Sequence, residues 1–150
     1  MPLGGCGEIG MNLNLFGHDG RWLMVDCGVT FEETLQGNEV QMPDPHFISE
    51  RTKSLVGIVA THAHMDHIGA LPHLADQFGC PIYTTPFTAA VLAPKLREAS
   101  SKAVVNIVHP GQSLALGPFQ LTWLPITHST PETNGLFIET AAGNIVHTAD

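Results

Sequence analysis

THAHMDHIGALPHL, residues 61–74, sets His62, His64, Asp66 and His67 inside six consecutive positions. It follows LVGIVA, residues 55–60, a continuous apolar run of the kind a fully buried strand presents. Beyond it, Ile68, Leu71, Leu74, Ala75 and Phe78 recur at helical spacing, which predicts a helix over residues 67–78 with Asp66 as N-cap and Gly79 as its stop. Strand, histidine-rich turn and helix, in that order, form the frame on which the remaining elements are placed.

The turn has the chemistry of a metal site. Two residues apart in extended backbone, His62 and His64 project to the same side and converge on one point. Asp66 and His67 follow as the chain turns, and face a second point a few ångströms away. Imidazole and carboxylate suit borderline cations such as zinc. With nine histidines in 150 residues, a chance H-x-H-x-D-H has a probability on the order of 0.001 for a random match, so coincidence explains the cluster poorly. Four donors in one loop leave two coordination shells incomplete, and further ligands are expected at other strand ends. His128, in THSTPETN, is the first candidate; Asp150, closing NIVHTAD, is the second, its two carboxylate oxygens able to bridge two ions.

Outward from the cluster, apolar residues at the odd positions of residues 9–15 predict a strand, Gly17-His18-Asp19-Gly20 a turn, and RWLMVDCG a returning strand. Residues 31–47 show no sustained period and read as an irregular loop. PIYTT reads as a strand, and residues 87–99 as a helix that Pro94 kinks or shortens. AVVNIV, FQLTWL, GLFIET and NIVHTA read as strands, the last two joined by a hairpin at Ala142-Gly143. The mixture predicts an α/β fold, a sheet flanked by helices, in one domain over residues 1–150.

Composition narrows the class. The chain is 43% hydrophobic and only 13% charged, with 15 glycines and 11 prolines, a turn-rich globule rather than a disordered segment. No apolar run reaches the roughly 18 residues of a membrane helix, and MPLGGCGEIG has no signal-peptide layout, so a cytoplasmic protein with no membrane partner is expected. Cys6, Cys27 and Cys80 form no C-x-x-C pair and are expected as buried free thiols. Six Lys and Arg against fourteen Asp and Glu give a formal charge of −8. A protein that grips phosphates through its surface is usually basic, so any nucleic-acid function here requires bound metal or further segments to supply positive charge.

THAHMDH resembles the signature motif of the metallo-β-lactamase superfamily. GGCGEIGMN, WLMVDCG, MPDP, DHIGALPHL, PFTAAVL, THSTPE and IVHTAD resemble, in order, the N-terminal part of the bacterial ribonuclease J family, RNA-processing enzymes of the β-CASP branch. The resemblance implies an αββα sandwich, of which this chain is approximately the N-terminal half, and two zinc ions. His62, His64 and His128 match the ligands of one zinc; Asp66 and His67 match those of the other and are the candidate catalytic residues; Asp150 matches the bridging carboxylate. Asp26 matches an aspartate that supports the ligand loop without binding metal. The implied reaction is hydrolysis of an RNA phosphodiester by a metal-held hydroxide, leaving a 5′-phosphate, in exonuclease or endonuclease mode, and the complete protein is expected to form a homo-oligomer.

Three departures qualify that implication. The sequence is far shorter than its resemblance family, lacks the β-CASP domain and a later zinc-binding histidine, and is expected to be a fragment that binds metal yet is inactive. Its start looks clipped. Ala149 stands where the family commonly has glycine, a change expected to tighten the turn without removing Asp150. Two other readings stay open: a small-molecule metallo-hydrolase such as a thioesterase, and an inactive metal-binding module. Among the remaining candidates, His73 and His147 are read as exposed or supporting residues, His18, His46 and His109 receive no role, and Cys27 is read as packing. Ser129 and Thr130 are read as ordinary loop hydrogen-bonding residues. The glycines of GGCGEIG, without a P-loop lysine, are read as permitting close backbone approach near the site.

Overall fold

The computed structural model describes residues 1–35 and 37–150. Two sheets lie face to face, with helices on the outer side of the larger one. The larger sheet has six strands in the order β1-β2-β3-β6-β7-β8: β1 (Pro2–Gly4), β2 (Leu13–His18), β3 (Arg21–Val25), β6 (Leu55–Val59), β7 (Ile82–Thr84) and β8 (Val105–Ile107). The smaller sheet has the order β12-β11-β10-β9: β9 (Ser113–Leu116), β10 (Phe119–Pro125), β11 (Asn134–Thr140) and β12 (Gly143–His147). A separate hairpin, β4 (Thr30–Thr34) with β5 (Gly37–Gln41), completes the strands.

Alternation along β3 assigns the two cores. Leu23 and Val25 face the smaller sheet and pack with Val59, Phe119, Leu121, Trp123, Leu136 and Ile138. Met24 points the other way, among Ile58, Leu71, Phe78, Ile82 and Leu92 beneath the helices α3 (Leu71–Phe78) and α4 (Pro86–Glu98). A central strand buried on both faces reads as a continuous apolar run, which is why RWLMV and LVGIV carry almost no polar residue. Burying one such Leu, Ile or Phe is worth about 1.5–3 kcal/mol, so the two cores dominate the favourable side of folding.

β3, β6, β7 and β8 run parallel, with Val25 opposite Val59 and Val59 opposite Tyr83. Their carboxyl ends therefore emerge together, the usual location of ligand sites in α/β sheets. Asp26, Thr61 and His62 leave the sheet at this edge. The first hairpin is a tight turn at Asp19-Gly20, where φ of 47° and 68° matches the positive-φ pair of a type I′ turn.

Several expectations are corrected. The strand expected over residues 9–15 begins at Leu13, and Ile9 is 93% exposed. Gly17 and His18 belong to β2, so the turn is shorter than expected. Residues 31–47, read as an irregular loop, contain most of the β4–β5 hairpin and the first half of the short α1 (His46–Ser49); Gln36 lies outside the described residues. β1 and β9 were not anticipated. Pro94 lies inside an α4 that continues past it to Glu98. Cys6 is exposed, whereas Cys27 is buried and Cys80 partly so; all three are free thiols.

The helix expected over residues 67–78 is two helices, α2 (Met65–Ile68) and α3, and Asp66 lies in the first turn of α2 rather than capping it. The reason is visible in the backbone. The carbonyl of Asp66 accepts from Asn12 N at 3.0 Å, that of His67 accepts from Cys27 N at 2.8 Å, and the Ala70 N–H donates to the Cys27 carbonyl at 3.0 Å. The hydrogen bonds that would carry one helix across residues 66–71 are thus given to neighbouring loops. The Gly79 stop does form, in the left-handed conformation with φ of 62°. Among the described residues no helix is long and apolar enough to cross a membrane.

Candidate metal centre

Asp26 is the hub of the strand-end cluster. Fully buried at φ of 63°, it accepts from Thr61 N at 2.8 Å and lies 3.0 and 3.1 Å from the Thr61 hydroxyl. Its other oxygen is 2.7 Å from His67 Nδ1. A buried carboxylate is costly unless its lone pairs are filled, and here one loop residue and one histidine fill them. The Thr61 hydroxyl donates to Asp26 and so accepts at 3.0 Å from Nδ1–H of the buried His62. Asp26 therefore sets the tautomer of His67 directly and that of His62 through Thr61. Each ring presents its Nε2 to the site.

Three histidine nitrogens converge in the first group. His64 Nδ1 lies 3.0 Å from His62 Nε2 and 3.2 Å from His128 Nε2, while the outer nitrogen of His64 is 3.2 Å from Ser129 Oγ. Asp150 Oδ2 is 3.7 Å from His128 Nε2. Ligands about 2.0–2.1 Å from a common ion in a tetrahedron are separated by about 3.3 Å, so these edges fit a small divalent cation. Asp150 Oδ1 faces the other way, 3.2 Å from His67 Nε2, and Asp66 Oδ2 is 3.4 Å from the same nitrogen. The structure thus gathers His62, His64, His128 and Asp150 into one donor group and Asp66, His67 and Asp150 into a second, each within 4.8 Å. Asp150 is common to both, one oxygen toward each.

The electrostatics follow from this geometry. Burial opposes charge on His67, but the hydrogen bond and charge of Asp26, with Asp66 and Asp150 behind, push its pKa up to about 9. His62 moves the other way, to about 4, because burial and the adjacent His67 both disfavour its protonation. Burial alone would raise Asp26, yet the His67 bond and charge and the Thr61 amide bring it below its ordinary value. Cys27 is driven upward by burial and by Asp26, and packs in the helix-side core. It takes no part in either donor group.

Backbone strain concentrates here. Of the six non-glycine residues at positive φ among the described residues, Met11, Asp26, Glu132 and Ala149 sit at or beside site residues. Ala149, at φ of 54°, occupies the conformation glycine adopts freely, and its amide donates to His147 Nδ1 at 3.2 Å. His147 thereby shapes the turn that delivers Asp150. Glu132 accepts from the Phe87 amide at the start of α4 at 2.8 Å, tying the His128 loop to that helix. His73 is exposed on α3, His46 is exposed at the start of α1, and His109 is exposed in a loop.

Three contributors escaped the sequence reading. Thr61 was the first letter of the decisive stretch, yet its hydroxyl relay to His62 depends on Asp26 arriving from another strand. Ser129 bonds a ligand-loop histidine rather than its own loop. Asn12, taken as the polar position of a strand, places its side chain against Asp66 and His67. No local pattern marks any of the three, since each depends on at least one partner remote in sequence.

Comparison with known proteins agrees with this architecture. A family profile described as the metallo-beta-lactamase superfamily matches residues 10–150. Ribonuclease J of Sinorhizobium meliloti is 43% identical over 100% of the chain, which spans 28% of that relative. Ribonuclease J of Helicobacter pylori is 36% identical over 99% of the chain, which spans 22% of it. Among solved structures, the metallo-beta-lactamase fold protein YhfI of Bacillus subtilis superposes with a TM-score of 0.66 at 25% identity, over 97% of this chain and 56% of that one. The short form of human tRNase Z gives a TM-score of 0.65 at 16% identity, over 96% and 64% respectively, a likeness of fold alone. With its paired sheets, the histidine and aspartate cluster at their edge and the profile match over nearly its whole length, the chain belongs to the metallo-β-lactamase superfamily.

Proposed function

We propose that this chain carries the metal-binding part of a ribonuclease J-type nuclease, acting on RNA phosphodiesters in RNA processing and decay. The observation that carries the reading is the pair of donor groups sharing Asp150, one oxygen facing each. His62, His64, His128 and Asp150 would hold one ion, and Asp66, His67 and Asp150 a second. The imidazole and carboxylate donor set suits zinc. Two such ions supply a nucleophile from water at neutral pH and stabilise attacking and leaving oxygens of a phosphoryl displacement. The protein's own part is orientation: Asp26, Thr61 and Ser129 fix which ring nitrogen each histidine turns inward. The RNA substrate is inferred from the ribonuclease J relatives, which the chain matches along its length.

Elemental analysis of the purified chain beside an Asp150→Ala variant tests the metal assignment. Two zinc ions per chain, falling to one or none in the variant, is the expected result; a parent chain without metal overturns it. Cleavage of 5′-monophosphorylated RNA, abolished by chelation and by His62→Ala, tests the reaction. Thioester turnover without RNA cleavage would transfer the site to a small-molecule hydrolase.

A further inference from the structure

The glycine-rich segment before β2 ends on a polar side chain that the proposed reaction has not used. Gly5, Gly7, Gly10 and Met11 all have positive φ, between 51° and 89°, and the chain they bend delivers Asn12 to the ligand turn. Asn12 is stitched there by its backbone: its N–H donates to the Asp66 carbonyl at 3.0 Å, and its carbonyl accepts from Gly28 N at 3.0 Å. Its side-chain nitrogen lies 3.1 Å from the same carbonyl, 3.3 Å from Asp66 Oδ2 and 3.2 Å from His67 Nε2. Two of those neighbours are oxygens that can only accept from it, which assigns the nitrogen rather than the oxygen of the amide to this position.

The surrounding glycines keep the amide in place. A Cβ on Gly5 would come within 2.3 Å of Asn12 Oδ1, and one on Gly4 within 2.2 Å of the Met11 carbonyl. A Cβ on Gly28 would fall 1.7 Å from the Asp66 carbonyl. Neither of the two carbonyls can swing aside as a flexible side chain would. The glycines thus permit a three-layer contact in which the residue 4–5 backbone covers Asn12, and Asn12 covers Asp66.

We propose that Asn12 is a positioning residue for the Asp66 and His67 half of the site. Its amide holds the Asp66 carboxylate at the orientation in which Oδ2 stands beside His67 Nε2, while the remaining Asp66 oxygen makes no bond among those described. Asp66 needs such a partner because its side chain is 35% exposed and Asp26, which locks His67, does not touch it. The other donor group has no contact with Asn12 among the bonds described. The effect is therefore selective for one half of the site. This inference rests on the reading that Asp66, His67 and Asp150 hold a cation.

The test is a titration of the metal-free chain with Zn²⁺ against a chromophoric chelator, repeated with Co²⁺ to follow its visible spectrum, for the parent chain and for Asn12→Ala. Partners in the shell behind a ligand typically change metal affinity by about 10- to 100-fold. A loss of that size in the weaker of two binding steps, with the other step unchanged, is the expected result. A general structural role would weaken both steps together, and that outcome overturns the proposal, as does an Asn12→Ala chain with two parental affinities. Should Asn12→Ala fail to fold, Asn12→Ser keeps a small polar residue and the backbone bonds but is too short to reach Asp66 Oδ2, and the same selective loss is required of it. A parent chain that binds no second ion defeats the metal-site reading itself, a result distinct from equal affinities in parent and variant.

Discussion

Replacing Asp26 by Asn changes one atom of the site and separates charge from shape. Asparagine tolerates the left-handed backbone that Asp26 adopts at φ of 63°, so the loop geometry is retained. The amide oxygen can still accept from Thr61 N and Oγ1, which contact Asp26 Oδ1. The amide nitrogen then faces His67 Nδ1 and donates to it, forcing the imidazole proton onto Nε2. Holding His67 protonated to about pH 9 instead of 6.5 corresponds to about 3 kcal/mol, shared among Asp26, Asp66 and Asp150, with Asp26 contributing most. His67 is only 2% exposed, so solvent screening removes little of this.

The sign fixes where the loss shows. A raised histidine pKa stabilises the fold fully below the unfolded value near 6.5 and ceases to do so as pH rises through about 9. Urea unfolding of the metal-free chain should therefore show Asp26→Asn destabilised by up to about 3 kcal/mol at pH 6, shrinking toward about 1 kcal/mol above pH 9. Nitrogen-15 spectra of the histidine rings should show the proton of neutral His67 moved from Nδ1 to Nε2. Zinc affinity at the His67 group should fall by about 10- to 100-fold. A variant as stable as the parent at pH 6, with its His67 tautomer unchanged, would refute the assignment of Asp26 as the orienting group.

Three further outcomes follow from the same contacts. The metal-free chain should be most stable near pH 6.5: below it the unfolded state takes up protons that His62, depressed to about 4, refuses when folded, and above it the His67 contribution fades. A stability that rises or falls monotonically between pH 4 and 9 in urea titrations would contradict this. Gly28→Ala should cost more than the roughly 1–3 kcal/mol of ordinary overpacking, because its Cβ would meet the Asp66 carbonyl at 1.7 Å; Gly7→Ala, with nothing within 4 Å but φ of 80°, should cost only about 1–2 kcal/mol by thermal unfolding. Glu132→Ala should cost about 1 kcal/mol by removing the acceptor at the start of α4, and Glu132→Gln less, since an amide oxygen still accepts from Phe87 N.

What the sequence revealed and concealed has a physical pattern. The ligand turn was legible because four donors are contiguous, and β3, β6, β10 and β11 because each buries at least one apolar face. The β4–β5 hairpin was not, because it has no such face: every residue of β5 is exposed, and Phe31 opposite Val40 leaves both largely in solvent, at 57% and 54%. Alternation at residues 9–12 imitated a strand, yet Gly10 and Met11 lie at positive φ, which no strand period records. The apolar spacing of Ile68, Leu71 and Leu74 continues across the break between α2 and α3, since both helices pack against the same core. The break is made by Asn12 and Cys27, which lie in loops flanking β2 and β3. The predicted residues His62, His64, Asp66, His67, His128 and Asp150 do come together, whereas the groups that orient them, Thr61, Ser129 and Asn12, carry no local signature.

Charge orders the events at the proposed site. The chain carries a formal charge of −8 with only six Lys and Arg. Among the described ion pairs, the one involving Arg or Lys joins Arg51 to Glu50, neither of which belongs to the cluster, so in these pairs Asp26, Asp66 and Asp150 meet histidines alone. Three carboxylates with no Arg or Lys partner among the described ion pairs make the metal-free site unfavourable to a phosphate. On the proposed reading, two divalent cations against the same three carboxylates would reverse the sign, since a histidine binds metal without a proton on the ligating nitrogen. On the same reading a polyanionic substrate would bind only after metal, with positive charge concentrated at one point instead of spread over a basic face. Binding through such a point neutralises few phosphates, so the affinity of this chain for RNA should depend far less on salt than that of a protein making the 6–10 phosphate contacts typical of a basic groove.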